Sequence, residues 1–377
     1  MMSTRNYLAV DLGAESGRTM IGTLDDGHLS LTETHRFANG PVQLPDGLHW
    51  DILRLWADTK TGMGISSAKF NKNIDSIGLD TWGVDFALLD QEGALLSNPF
   101  HYRDARTDGM LVEAFKRMPR ADIFTNTGIQ FLQINTLYQL LAMSLSHSPL
   151  FDIAKTFLTI PDLFNYWLSG EITNEFTNAT TTQCLDPRKR EWATPLLDAM
   201  EIPSHLFKPI TDSGTQIGVL LPRVAQETGV GDVRIVVPAC HDTGSAVVAV
   251  PALAGNQDFA WISSGTWSIV GAEVREPCLN DRALEYNFTN EAAYLEPGDY
   301  RKILWGCGWC RNANGRGRTW ARIYLMISSH SLLRMPNPFL LSSILTMNDF
   351  FIRAICLNRF KNIVWTQIKL YRRPKVK

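Results

Sequence analysis

Apolar and polar positions alternate in three runs near the start of the chain, at about 7–11, 18–24 and 30–37. Each run predicts a strand with one buried face. Asp25-Asp26-Gly27 and Asn39-Gly40 are the turn signals that follow the second and third runs. Over 51–68 (DILRLWADTKTGMGISSA) the apolar spacing changes to three and four residues, which predicts a helix with Asp51 as its N-cap. SIGLDT at 76–81 returns to the strand period, and FALLDQEGALL reads as a hairpin turning at Glu92-Gly93. Helical patterns cover 134–145 and 160–169, the second stopped by Gly170. RIVVPAC (234–240) predicts a buried strand running into His241-Asp242-Thr243. FAWISSGTWSIVGAE (259–273) predicts a second strand-and-turn unit. This order belongs to a mixed α/β sheet. Two units in which a strand runs into a loop of small residues, at 7–18 and 259–268, suggest two lobes with a cleft between them.

Bulk properties narrow the class. A chain of 377 residues with 45 % apolar content has room for about two domains and a substantial core. Residues 1–6 carry no apolar leader and no run of 18 apolar residues occurs, so neither a secretory signal nor a membrane span is expected. Six scattered cysteines form no disulfide framework, and the expected location is a reducing cytoplasm. The net charge of −2 hides a reversal. Residues 1–306 hold 23 Lys and Arg against 37 Asp and Glu, whereas 307–377 hold 13 against the single acid Asp349.

Four segments carry candidate chemistry. In YLAVDLGAESGR (7–18) a strand ends at Asp11 and gives way to Gly13, Ala14, Ser16 and Gly17. Small residues there let backbone N–H groups and a hydroxyl reach a phosphate, and the strand-tip aspartate can hold magnesium beside it. The same pattern is also that of an ordinary strand and turn. Ser263-Ser264-Gly265-Thr266 is a second loop of this kind, or a serine-rich turn. Asp242 follows a strand directly, where a carboxylate can act as general base on a hydroxyl, or can simply cap the helix that starts at Thr243. Asp80-Thr81-Trp82-Gly83-Val84-Asp85 has carboxylates flanking an aromatic ring, which suits a sugar or a buried core tryptophan. The polar cluster His101–Arg106 suits either a site or a solvated surface. Zinc-ligand spacing is absent, and residues 1–306 show no basic, aromatic-interleaved patch for nucleic acid.

Taken in order, AVDLGAESGR, IDSIGLDTWGVDF, YRDART, GIQFLQINTLYQL, PDLFNYWLSG, TNATTTQ, CHDTGSAV and SSGTWS resemble the FGGY carbohydrate kinases over about residues 5–301. The resemblance implies a two-lobed, actin-like and ribonuclease-H-like α/β ATPase fold. It also implies transfer of the ATP γ-phosphate to the 1-hydroxyl of L-rhamnulose, with Mg2+, by a monomer without membrane or nucleic-acid partners. By position, it makes Asp242 the catalytic base, and Ala14, Glu15, Ser16, Gly17, Arg18 and Thr266 the ATP contacts. Gly83, His241, Asp242 and Thr243 become sugar contacts, and Asp11 the metal or phosphate-ordering carboxylate. Residues 1–246 are then the first lobe and 247–301 the start of the second. A kinase for another ketose or polyol, and a catalytically dead product of a disrupted gene, are the competing readings.

After Arg301 the resemblance stops. Lys302–Cys310 can be encoded by codons that a one-base shift turns into KNIMGLWVV, the continuation family members carry, so 302–377 is expected to be a frameshifted basic tail. On that expectation the second lobe is incomplete, lacks its adenosine contacts, and leaves the chain with weak or absent activity. The C-x-x-C at Cys307–Cys310 and the arginines after it then carry no redox or nucleic-acid role.

Overall fold

The computed structural model describes residues 4–250, 260–264, 267–274, 276–296 and 300–311. Strands β1 (Arg5–Leu12), β2 (Ser16–Asp25) and β3 (His28–Ala38) form the predicted opening meander. Helix α1 (Ile52–Lys69) follows, with Asp51 at its N-cap accepting the Arg54 amide at 3.2 Å. Strand β4 (Ser76–Thr81) then inserts beside β1 in parallel. Two later strands, β7 (Gln216–Val219) and β8 (Arg234–Val236), complete a six-stranded sheet of order β7-β8-β4-β1-β2-β3. The predicted strand over 234–240 is shorter because Pro238 has no amide to give a neighbouring strand.

Side-chain alternation along β1 buries Asn6, Leu8, Val10 and Leu12, and along β4 it buries Ile77, Leu79 and Thr81. Those apolar residues meet Leu55 and Met63 of α1 in one core cluster. Leu163 and Leu168 of α3 (Ile160–Ser169) belong to the same cluster. Gly170 ends α3 at φ +81°, as predicted. The same alternation leaves Asp11 and Asp80 on the opposite face, and the parallel register sets their Cα atoms opposite each other. A short antiparallel ribbon pairs β5 (Phe86–Leu89) with β6 (Thr156–Thr159). The predicted hairpin is present in short form: the Asp90 amide donates to the Ala94 carbonyl and the Leu96 amide to the Leu88 carbonyl, both at 3.0 Å, and Leu89 bridges Leu95. The ribbon partner of β5 comes from far along the chain.

Helix α2 (Thr136–Leu145) leads a second core cluster with Phe124, Tyr138, Phe157 and Phe207. Helix α4 (Phe176–Thr181) is buried along its whole length, and α5 (Asp242–Val248) leaves the sheet at its carboxyl edge. A second, antiparallel sheet has the order β9-β10-β12-β11, from β9 (Ala260–Ser264), β10 (Trp267–Val274), β11 (Thr289–Glu296) and β12 (Tyr300–Arg311). Strand β11 packs against α4 and α5. Residues 302–311, assigned from the sequence to the basic tail, run on within β12, while 312–377 lie outside the described residues. Among the described residues no helix is long and apolar enough to cross a membrane.

Candidate functional site at the carboxyl edge of the central sheet

The carboxyl ends of the parallel strands β1, β4 and β8 meet at one edge, which is where open α/β sheets take their ligands. Three segments converge there. The first is the loop from Gly13 to Ser16, which joins β1 to β2, with Leu12 opposite Gly17. The Gly13 amide donates to the Ser16 carbonyl at 3.0 Å, and Asn39 Nδ2 donates to the Gly13 carbonyl at 2.8 Å. The amides of Ala14 and Glu15 take no protein acceptor among the described residues. Gly17 is held against Phe37, whose ring fills the place a Cβ would take.

The second segment follows β4. The Trp82 amide donates to the Leu12 carbonyl at 3.2 Å, which ties this segment to β1. A Cβ on Gly83 would stand 2.8 Å from Thr181 Oγ1, so only glycine lets α4 approach this closely. Val84 sits at φ +69°, a strained conformation for a β-branched residue. It is held there because its amide donates to Thr181 Oγ1 (3.0 Å) and its carbonyl accepts from Thr136 Oγ1 (2.6 Å).

The third segment, Cys240 to Thr243, is locked to β4 by a parallel bridge between Thr81 and His241. The Thr81 amide also donates to the Cys240 carbonyl at 2.9 Å. Asp242 is the first residue of α5, with His241 as N-cap, so the helix begins one residue earlier than expected. Asp242 Oδ1 accepts from the Thr243 amide (2.5 Å) and the Thr243 hydroxyl (3.2 Å). Its side chain is 37 % exposed.

Electrostatics set these carboxylates apart. Burial, with the charge of Asp11, pushes the Asp242 carboxyl up to about 7. Burial, then Asp11 and Asp242, push the Asp80 carboxyl well above the usual range. The Ser245 hydroxyl stands beside Asp80 but gives its proton to the Ala239 carbonyl (2.9 Å), and Asp80 Oδ1 is buried with no hydrogen-bond partner. Asp11 is paired with Arg18, Nε to Oδ2 at 2.7 Å, each side chain rather more than a quarter exposed. His241 lies between acids, Nδ1 3.4 Å from Glu291 Oε2 and Nε2 3.5 Å from Asp242 Oδ1. Burial lowers its proton affinity and Glu291 opposes that. Among the described residues, no three His, Cys, Asp or Glu side chains are placed to ligate one ion.

Several sequence expectations change here. Trp82 is 5 % exposed and packs on Trp50 at 4.1 Å between ring centroids, so it is a core residue rather than an open sugar platform. Trp50 and Trp82 both donate their indole N–H to Asp85 Oδ2, at 2.6 and 2.9 Å, and Gln139 donates to Oδ1 at 2.9 Å. Within the 101–106 cluster, His101, Tyr102 and Asp104 are buried rather than solvated. Asp104 Oδ2 accepts the Leu48 amide at 2.7 Å, and His101 stacks on Trp50. Asp80, read from the sequence as a carboxylate for a sugar, lies opposite Asp11, where the alternation of SIGLDT and its register on β1 place it. Thr266, the remaining predicted phosphate contact, lies outside the described residues.

The raised carboxyls have a consequence for stability. Asp85 (about 6) and Asp162 (about 7) bind protons more tightly in the folded chain than in the unfolded one, so folding takes up protons and stability falls as pH rises through those values. His101 (about 4) and His241 act in the opposite sense, but only below the ordinary imidazole value of 6.5. The expected result is a Tm that declines from about pH 6 to about pH 8 in differential scanning fluorimetry. A Tm that climbs over that range would contradict it.

The model of the FGGY family of carbohydrate kinases, N-terminal domain, matches residues 6–249. The chain is similar to a rhamnulokinase of Oceanobacillus iheyensis, 44 % identical over 295 residues, covering 78 % of this chain and 61 % of the relative. A rhamnulokinase of Halalkalibacterium halodurans is 42 % identical over 287 residues, covering 76 % and 60 %. The chain thus spans about three-fifths of the length of the curated relatives it matches. Among solved structures, ligand-bound xylulose kinase from Lactobacillus acidophilus superposes with a TM-score of 0.71 at 18 % identity, over 82 % of this chain and 60 % of that one. Plasmodium falciparum glycerol kinase with ADP gives 0.70 at 15 %, over 82 % and 62 %. At these identities the two structures speak for the fold alone.

Proposed function

The chain belongs to the FGGY family of carbohydrate kinases, and from that premise we propose that it binds L-rhamnulose and directs the γ-phosphate of ATP onto the sugar's 1-hydroxyl. Its fold is the actin-like, ribonuclease-H-like α/β fold of the sugar kinases it superposes on. We read 1–246 as the sugar- and phosphate-binding lobe and 247–301 as the opening of the second. The observation that carries the proposal is the meeting of Asp242 with the Gly13–Ser16 loop at one sheet edge.

In this reading Asp242 takes the proton of the 1-hydroxyl, Oδ1 being committed to Thr243 and Oδ2 left for the substrate. The hydroxyl oxygen forms its bond to the γ-phosphorus in line with the breaking bond to the β-phosphate, and ADP leaves. In this reading the amides of Ala14 and Glu15, the Ser16 hydroxyl, Gly17 and Arg18 contact the phosphates, and Thr266 is given the same role from the sequence alone. Gly83, His241 and Thr243 orient the sugar. A hard divalent cation such as Mg2+, which takes one or two carboxylates and completes its shell with phosphate and water, would neutralise charge on the transferred group. Asp11, with Asp80 beside it, would hold it. The unpartnered Asp80 Oδ1 and the mutual repulsion of Asp11, Asp80 and Asp242 fit such an ion.

Calorimetric titration with L-rhamnulose, D-xylulose and glycerol, paired with a coupled ADP-release assay, tests the proposal. Binding selective for L-rhamnulose is expected, with weak or absent ADP release, because in this reading the second lobe is incomplete and lacks its adenosine contacts. Equal responses to all three sugars would replace the substrate, and sugar binding without any response to ATP would favour a binding protein over a kinase.

A further inference from the structure

One buried acid behind the cleft has no task in the mechanism above. Glu175 is fully buried, and among the described residues no basic side chain forms an ion pair with it. It stands at the N-cap of α4. A six-residue helix needs no more than a Ser, Thr, Asp or Asn there, and a buried carboxylate without a cation is costly. Burial accordingly raises its proton affinity. The extra methylene of glutamate carries the carboxylate beyond its own helix to the segment that presents Asp242.

Its oxygens take four hydrogen bonds. Oε2 accepts from Thr177 Oγ1 (2.6 Å), from the Asn178 amide (3.0 Å) and from the Cys240 amide (3.2 Å). Oε1 accepts from Ser213 Oγ (2.6 Å). Thr177 Oγ1, having given its proton to Glu175, accepts the His241 amide at 3.1 Å. The two amides preceding Asp242 are therefore fixed by one carboxylate, the first directly and the second through a hydroxyl. Asn178 closes the arrangement by donating to the Trp82 carbonyl (3.3 Å) and the Cys240 carbonyl (3.5 Å). Both edges of the sugar segment, 82–83 and 240–243, are tied to the same turn of α4.

We propose that Glu175 is a positioning residue for the Cys240–Thr243 segment, setting the height at which His241 and Asp242 meet the sugar. The inference rests on the sugar-kinase reading for its functional consequence, and on the hydrogen bonds alone for its structural one.

Glu175→Gln keeps a carbonyl oxygen for the three donors at Oε2 and an amide for Ser213. It is expected to leave L-rhamnulose affinity and turnover near wild type and to raise Tm, since a neutral group replaces a buried charge. Glu175→Ala is expected to weaken both by about 10- to 100-fold, the effect of a misplaced reacting group. Thr177→Val, close in shape, frees only the His241 amide and serves if the alanine variant does not fold. Hydrogen–deuterium exchange of the peptide 237–248 gives a readout that needs neither sugar nor turnover. Exchange is expected to quicken at Cys240 and His241 in Glu175→Ala, at His241 alone in Thr177→Val, and to stay unchanged in Glu175→Gln. The proposal is overturned if folded Glu175→Ala or Thr177→Val keeps wild-type exchange and sugar affinity. It is equally overturned if Glu175→Gln is as impaired as Glu175→Ala, because charge rather than hydrogen bonding would then matter. Failure of the wild-type chain to bind L-rhamnulose would strike the substrate reading, while the exchange data would still decide the role of Glu175.

Discussion

Asp242→Asn is expected to lower whatever L-rhamnulose-dependent ADP release the chain retains by about 100- to 10,000-fold, the usual worth of a general base, while leaving sugar affinity within a few-fold. Asparagine keeps an oxygen for the Thr243 amide and hydroxyl, so the start of α5 is preserved. What it loses is the capacity to accept the hydroxyl proton. The substitution also removes one of three repelling carboxylates, and Asp80 should then ionise more readily. A modest gain in Tm alongside the loss of turnover is therefore the paired expectation, the pattern of a site that trades stability for chemistry. Turnover matching the wild type would remove Asp242 from the role of base. Loss of sugar binding in equal measure would make it a binding residue instead.

Trp50→Ala has the largest expected effect on stability. Trp50 is completely buried, and its ring lies against Trp82 at 4.1 Å and His101 at 4.2 Å. Emptying such a site costs about 3–5 kcal/mol, or a fall in Tm of about 10 °C for a unit of this size. The loss is compounded because the indole N–H is one of three donors to the buried Asp85 carboxylate. Trp50→Phe, which restores ring volume but not the donor, separates the two contributions. Thermal melts of the pair check this: if both variants fall equally, the hydrogen bond dominates, and if Phe recovers nearly all of the loss, packing does. Trp82 shares Asp85 with Trp50 and precedes Gly83, so a weakened sugar response is expected in the alanine variant as well.

The parts of this fold that were legible in the sequence are those written in local spacing. The period-two runs at β1 to β4 and the helical spacing of α1 and α3 depend on neighbours within a few residues, as do the Asp51 cap and the Gly170 stop. Pairing is another matter. The local turn at Glu92-Gly93 announces the short hairpin that forms there, but nothing near Phe86–Leu89 announces that its other partner is Thr156–Thr159. Polarity misled in the same way at His101–Arg106, since a polar residue can be buried whenever distant partners such as Leu48 and Gln139 arrive to satisfy it. Within the site, the loop at 13–18 and the segment at 241–243 were marked by residue type and read together only through their order along the chain. Glu175 was overlooked and Asp80 was given to a sugar, because their importance lies in what they face behind the sheet and across it.

The register that sets Asp11 opposite Asp80 also says when the site can come into being. Asp11, Asp80 and Asp242 belong to distant parts of the chain and meet only once β4 has slotted in parallel beside β1 and α5 has docked at the sheet edge. Pairings of such long sequence separation are slow to form, because loop-closure entropy must be paid before they return anything. The opening meander of β1, β2 and β3 has no such handicap. The folding order this implies starts with the meander, and the cluster of repelling carboxylates closes last, as a late and electrostatically uphill step.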